Sequence, residues 1–263
     1  MLLEGKVAVI YGAAGAIGSA VANAFAREGA RVFLTGRTIS SVERLTNEIN
    51  TRGWSAEAAC VDALDDHAVE NHVATVAEKT GGIDISFNAI GIPQQGIQGN
   101  PLADLPVESF VLPITTYARS HFLTARAAAK RMVERGSGVI LMHTPEPARV
   151  GAPLVGGMGP AWAGMEALCR GLSAEVGQHG VRIVCIRSTG IPETSTIDVV
   201  FGLHAKALGI TREQFQGIIE GMTHTRRSTT LAELTNVAVF LASDLAKGMT
   251  GTVVNLTGGE VVD

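Results

Sequence analysis

Little in this sequence points toward nucleic acid, a membrane or an oxidising compartment. Lys and Arg number 21 against 25 Asp and Glu, giving a net charge of -4 and a pI near 6.0. No basic run with interleaved aromatics is present, which excludes a binder of phosphate backbones by the usual electrostatic footprint. The three cysteines, Cys60, Cys169 and Cys185, have no CxxC spacing. Each sits in an apolar pattern, so buried free thiols are expected, with neither a disulfide framework nor a metal site. No uninterrupted apolar run approaches a membrane span, and residues 1–6 lead straight into a strand pattern without a charged, apolar, cleavable leader. The expectation is a cytoplasmic protein whose partner is a small-molecule substrate, with no nucleic acid and no membrane contact.

What is present is a large apolar fraction, 46%, and 31 glycines in 263 residues, enough for one compact domain over 1–263. Short runs rich in Val and Ile at 7–11, 31–35, 56–61, 83–88, 138–143, 182–186 and 252–256 alternate with helical patterns at 16–28, 41–51, 66–79, about 114–135 and 161–177. Continuous apolar strands separated by helices imply an α/β fold, a parallel sheet covered on both faces. The one long excursion, about 194–230, reads as one or two helices inserted before the last helix and strand. An insertion at the carboxyl end of a strand in an open α/β sheet lies over the ligand crevice, so a substrate lid is expected there.

The first chemistry is carried by the turn Gly12-Ala13-Ala14-Gly15-Ala16-Ile17-Gly18, which follows the first strand and opens an Ala-rich helix. Backbone amides approach a pyrophosphate only where side chains stay clear, and a helix N-terminus supplies a favourable field for the anion.

This turn resembles the Gly-x-x-x-Gly-x-Gly element of the short-chain dehydrogenase/reductase superfamily, and further matches follow in order. Asp62 resembles the acidic residue after the third strand that contacts adenine. The run from Ile83 through Asn88, Ala89 and Gly91 resembles the strand ending in Asn-Asn-Ala-Gly, and 239–259 resembles the closing helix and strand. The resemblance implies a doubly wound Rossmann fold with a seven-stranded parallel sheet, a nicotinamide cofactor and a homotetramer. It assigns cofactor contacts to Gly12, Ala14, Gly15, Ile17, Gly18, Asp62, Ala63, Asn88, Ala89 and Thr194, the last matching the threonine that touches the nicotinamide carboxamide.

Departures from the family pattern are as informative. Ala16 stands where the second glycine belongs, with Gly15 one position early. At Leu34-Thr35-Gly36-Arg37 the acid that accepts hydrogen bonds from an NAD ribose is missing. Arg37 instead offers a planar fork for a 2′-phosphate, so NADP(H) is expected. In the family, Asn, Ser, Tyr and Lys act together in proton transfer. Here those positions fall on Tyr117, Pro145, Met158 and Trp162, with Thr144 just before Pro145. A thioether donates no proton and an indole carries no charge. The remaining candidates for catalysis are Tyr117 and His121, four apart on one helix face, and Thr144, with His143, Glu146 and Arg187 near the same crevice. Three functions follow as alternatives: an NADP(H)-dependent oxidoreductase of a small carbonyl, enone or imine with a non-standard proton donor; a silent NADP-binding sensor or hetero-oligomer subunit; and a non-redox isomerase or dehydratase using His121 or His143 as base.

Overall fold

A computed structural model describes residues 1–262. The elements run β1 Val7–Tyr11, α1 Ala16–Arg27, β2 Arg31–Gly36, α2 Ile39–Thr51, β3 Ala56–Cys60, α3 Asp66–Thr80, β4 Ile85–Asn88, α4 Val107–Arg135, β5 Gly138–Pro145, α5 Met158–Val176, β6 Val181–Ser188, α6 Ser195–Leu208, α7 Arg212–Met222, α8 Leu231–Ala242 and β7 Thr252–Leu256. All seven strands join one parallel sheet in the order β3-β2-β1-β4-β5-β6-β7. The covered parallel sheet expected from the alternation of strands and helices, and the doubly wound Rossmann arrangement that the family resemblance implies, are thus present.

Strand alternation sends successive side chains to opposite faces, and each face has its own core. Ala8, Ile10, Val32 and Leu34 pack with Val21 and Phe25 of α1, Val42 and Ile49 of α2, and Leu234 and Leu241 of α8. Val9, Tyr11, Ile140 and Met142 pack on the other side with Val73 of α3, Ala128 and Met132 of α4, and Cys169 of α5. Because the winding direction reverses between β1 and β4, a crevice opens at the carboxyl ends of these two strands.

Three local features differ from the sequence expectation. Cys60 is exposed while Cys169 and Cys185 are buried, because β3 is an edge strand whose last residue lies beyond helix cover. Helix α4 begins at Val107, seven residues before the expected start, so Pro113 sits inside it. A proline at the first helical position looks the same in sequence as one in the interior. This early turn is retained where α4 meets the segment before α5, so closely that a Cβ on Gly157 would overlap the Phe110 carbonyl. Helix α5 begins at Met158 instead of residue 161, which puts Met158 in its first turn and Trp162 directly one turn later.

Between β6 and β7 the chain forms α6 and α7, joined through Phe201, Ala205 and Phe215 in a small cluster of their own. Thr194 caps α6: its hydroxyl accepts from Ile197 N–H at 3.3 Å and donates to the Ile191 carbonyl at 2.9 Å. No helix among the described residues is long and apolar enough to cross a membrane.

Candidate functional site

The glycine turn is shaped by close backbone approaches. Gly12 has φ +67°, and a Cβ there would lie 2.8 Å from the Ala89 carbonyl oxygen. A Cβ on Gly18 would overlap the Gly12 carbonyl, so the turn between β1 and α1 requires glycine at both places. Gly15 is the N-cap of α1, with no side-chain cap and no acidic residue in the first turn. The amides of Ala16, Ile17 and Gly18 are therefore donors without an intrahelical partner, aimed past the end of β1. Ala14 is exposed at the same turn. This donor set and its field suit an anionic diphosphate.

The neighbouring strand ends are fixed by local hydrogen bonds. Ala89 N–H donates to the Tyr11 carbonyl at 2.9 Å. Asn88 donates from Nδ2 to Thr124 Oγ1 at 3.0 Å and accepts from Ile90 N–H at 3.0 Å, so the end of β4 is tied to α4. Asp62 accepts from Leu64 N–H at 3.0 Å in the turn after β3, with Ala63 buried between them. Arg37 is exposed at the end of β2, and no ion pair of the described residues includes it.

Tyr117 and His121 share a face of α4, as their spacing requires, with ring centroids 6.0 Å apart. Tyr117 packs in one apolar cluster with Met158, Ala161, Trp162 and Met165 of α5 and with Val155 and Ile97. Burial pushes its phenol up to about 12, partly opposed by the Ile92 backbone, which favours the ionised form. His121 is 2% exposed. Its Nδ1 lies 3.1 Å from the Tyr117 carbonyl and 3.3 Å from Ser120 Oγ, and its Nε2 lies near the Asn88 backbone without completing a hydrogen bond. Burial pulls this imidazole down to about 4, against the two backbone carbonyls.

His143 is likewise pulled down to about 4 by burial and by His121 nearby. Ser188 Oγ donates to the Thr189 carbonyl at 2.9 Å, so its contact with His143 Nε2 at 2.8 Å is accepted by the serine, and His143 carries its proton on Nε2. Thr144 points the other way: its hydroxyl donates to Glu166 Oε1 at 3.0 Å. Glu166 also receives Arg187 through Nε at 2.8 Å and Nη2 at 2.7 Å, and both side chains are buried. Met158, Trp162 and Glu166 lie at intervals of four on α5, so one face of that helix carries thioether, indole and carboxylate in turn.

Two groups take on surroundings that the sequence alone does not give, although Glu146 is among the residues expected near the crevice. Glu146, directly after β5, is half-buried with its Oε2 wholly enclosed and without a hydrogen-bond partner, as is Oε2 of Glu260. Burial, then the Glu260 charge, push the Glu146 carboxyl up to about 8, against its own backbone N–H. Gln94 and Gln98, in the segment between β4 and α4, are each 4% exposed. Amides are ordinary loop residues, and only the three-dimensional path of this segment turns them inward.

Comparison with known proteins agrees with this geometry. A family model described as enoyl-(acyl carrier protein) reductase matches residues 12–260. The oxidoreductase YxbG of Bacillus subtilis strain 168 is 32% identical over 258 residues, 98% of this chain and 91% of its own. An L-rhamnose 1-dehydrogenase (NAD(P)(+)) of Azotobacter vinelandii is 31% identical over 274 aligned residues, 100% of this chain and 99% of its own. The crystal structure of sorbitol-6-phosphate 2-dehydrogenase SrlD from Erwinia amylovora superposes with a TM-score of 0.90 at 25% identity, covering 97% of this chain and 100% of that one.

Proposed function

This chain belongs to the short-chain dehydrogenase/reductase superfamily, and from that premise we propose that it is an NADP(H)-dependent oxidoreductase of a small carbonyl, enone or imine whose proton donor is Tyr117. The observation that carries this reading is the packing of the Tyr117 phenol against Met158 and Trp162. In the family those two positions hold the tyrosine and lysine of proton transfer. In this reading α4 supplies the phenol for the role that α5 serves elsewhere.

The cofactor is held, in this reading, by the uncapped amides at the start of α1, by Asp62 and Ala63 beside the adenine end, by Asn88 and Ala89, and by Thr194. Arg37 pairs with the 2′-phosphate, since no acid stands at the end of β2 to select an unphosphorylated ribose. When bound, the dihydronicotinamide supplies the hydride. Tyr117 then gives its proton to the oxygen or nitrogen that becomes negative. The Ile92 backbone favours the phenolate so formed, a part that lysine usually plays. Buried, neutral His121 and His143 add no competing charge.

The α6–α7 insertion acts as the lid, and exclusion of water by Ile97, Val155 and Trp162 strengthens the electrostatics inside. The protein assembles as a homotetramer in the cytoplasm. Phe122, 48% exposed on α4, lies on the same surface as Val133 farther along that helix and Leu168 and Leu172 of α5, an apolar strip flanked by Arg126, Lys130 and Glu175 and suited to a second copy.

A cofactor-oxidation screen across ketones, enones and imines, followed by Tyr117→Phe on the substrate found, tests the proposal. A second reading, a silent NADP-binding protein, is favoured by the same apolar cluster and is supported instead if NADPH binds and no substrate class turns over.

A further inference from the structure

The α6–α7 insertion has an interior of its own. Phe201 and Phe215 meet edge to face with ring centroids 5.4 Å apart, and with Val200 and Ala205 they form a cluster that shares no residue with the cores on either face of the sheet. Arg212 Nε donates to Asp198 Oδ1 at 2.6 Å, tying the start of α7 to the first turn of α6. The two helices are therefore one packed unit. Its stems are fastened to each other beneath it: Thr189 Oγ1 donates to Thr229 Oγ1 at 2.8 Å and accepts from Thr229 N–H at 3.0 Å, and Thr229 Oγ1 donates to the Leu256 carbonyl at the end of β7 at 2.9 Å. Leu231 N–H donates to Glu193 Oε2 at 2.6 Å. The chain entering the insertion and the chain leaving it are thus held side by side.

Away from the stems, α6 lies against the 94–99 segment. His204 Nε2 is 3.0 Å from Gln98 Oε1, Gln98 Nε2 donates to Gln94 Oε1 at 2.7 Å, and Gln94 Nε2 donates to the Ile92 carbonyl at 2.6 Å. With its NH2 group committed to Gln94, Gln98 turns its oxygen to His204, and the imidazole carries a proton on Nε2. All three side chains are buried. The His204 ring is also fixed from within the insertion, its centroid 5.1 Å from that of Phe215. The approach is close, since a Cβ on Gly99 would lie 3.0 Å from the Leu203 carbonyl oxygen. Gly99 N–H in turn donates to the Leu154 carbonyl at 2.9 Å, so the surface that receives α6 is braced by the chain that precedes α5.

We infer that His204 and the Gln94–Gln98 amide pair form a latch that holds the α6–α7 unit against the body, with the Thr189–Thr229 stems as its pivot. A packed unit fastened at its base and at one side moves as a whole when the side contact parts, so opening is a rotation about the stems. That this rotation uncovers the crevice rests on the insertion being the lid proposed above. The latch itself does not depend on that reading.

Amide hydrogen exchange of the full chain, resolved by peptide, tests the latch. His204→Leu and, independently, Gln98→Met should raise exchange across 195–222 by about fivefold, the effect of losing one net hydrogen bond from the closed state, and leave β1, β4 and β5 as protected as before. His204→Gln, which keeps an N–H donor, should stay near the wild type. Exchange in 195–222 unchanged in both breaking variants overturns the inference, as does an acceleration spread equally over the sheet, which reports a loss of stability throughout. NADPH binding rates, followed by stopped-flow nicotinamide fluorescence, separate the latch from the lid: both association and dissociation should quicken in the breaking variants. If exchange in 195–222 rises as expected while those rates stay at the wild-type values, the latch stands and the reading of the insertion as a lid over the cofactor falls.

Discussion

Arg187 at the end of β6 grips Glu166 of α5 through two parallel hydrogen bonds of 2.8 and 2.7 Å, one helical turn beyond Trp162. Both side chains are 5% exposed. A buried fork of this kind gives little net stability over apolar packing, but removing one partner is expensive. Glu166→Ala is expected to destabilise the protein by about 3 kcal/mol or more, since it also leaves the Thr144 hydroxyl with only the Cys185 sulfur at 3.5 Å. Glu166→Ala with Arg187→Met should cost clearly less than the sum of the single changes. Urea midpoints of the four proteins measure the coupling.

The pH dependence of stability has two windows of opposite sign. His72, His121 and His143 are each pulled down to about 4 by burial, so between pH 4 and about 6.5 the unfolded chain binds more protons and stability falls on acidification. Glu146 is pushed up to about 8, so between roughly pH 4.5 and 8 the folded state binds the extra proton and stability falls as pH rises. Glu146→Gln should weaken the second trend, by up to about 1.4 kcal/mol per pH unit, leaving the share of Glu260, which burial also raises, and leave the first. Urea unfolding at pH 5, 6.5 and 8.5 checks both; parallel pH profiles for wild type and variant would reject the role of Glu146.

Most of the fold was legible because its signals are local. Val7–Tyr11 is buried at every position, and a glycine turn leads from it into a helix, which already implies a parallel sheet. The site was legible in part for the same reason: Tyr117 and His121, four apart on a helix, were bound to share a face. Other parts depend on contacts between distant segments. Gln94 and Gln98 read as loop amides until the 89–106 segment is folded inward, Glu146 gains its perturbation from burial and from Glu260 at the far end of the chain, and the start of α4 is masked by Pro113, whose meaning depends on what its turn packs against.

Cofactor preference tests Arg37. NADPH should bind more tightly than NADH, and Arg37→Ala should abolish most of the difference, because the proposed partner of the guanidinium is the 2′-phosphate that NADH lacks. Nicotinamide fluorescence titrations decide it; equal affinity for the two cofactors in the wild type would refute the assignment.

Assembly tests the α4–α5 strip. Light scattering should give a tetramer at micromolar concentration, and Phe122→Glu, which places a charge in an apolar contact, should yield smaller species with an unaltered circular dichroism spectrum. A wild-type monomer under those conditions would contradict the proposal.

The central claim is that the phenol of Tyr117 is the proton donor of a nicotinamide-dependent reduction. Its most direct measurement compares NADPH oxidation by wild type and Tyr117→Phe on the substrate found by screening, with NADPH affinity determined in parallel. The account predicts a loss of about 10²-fold or more in turnover with cofactor affinity unchanged; turnover equal to that of the wild type would contradict it.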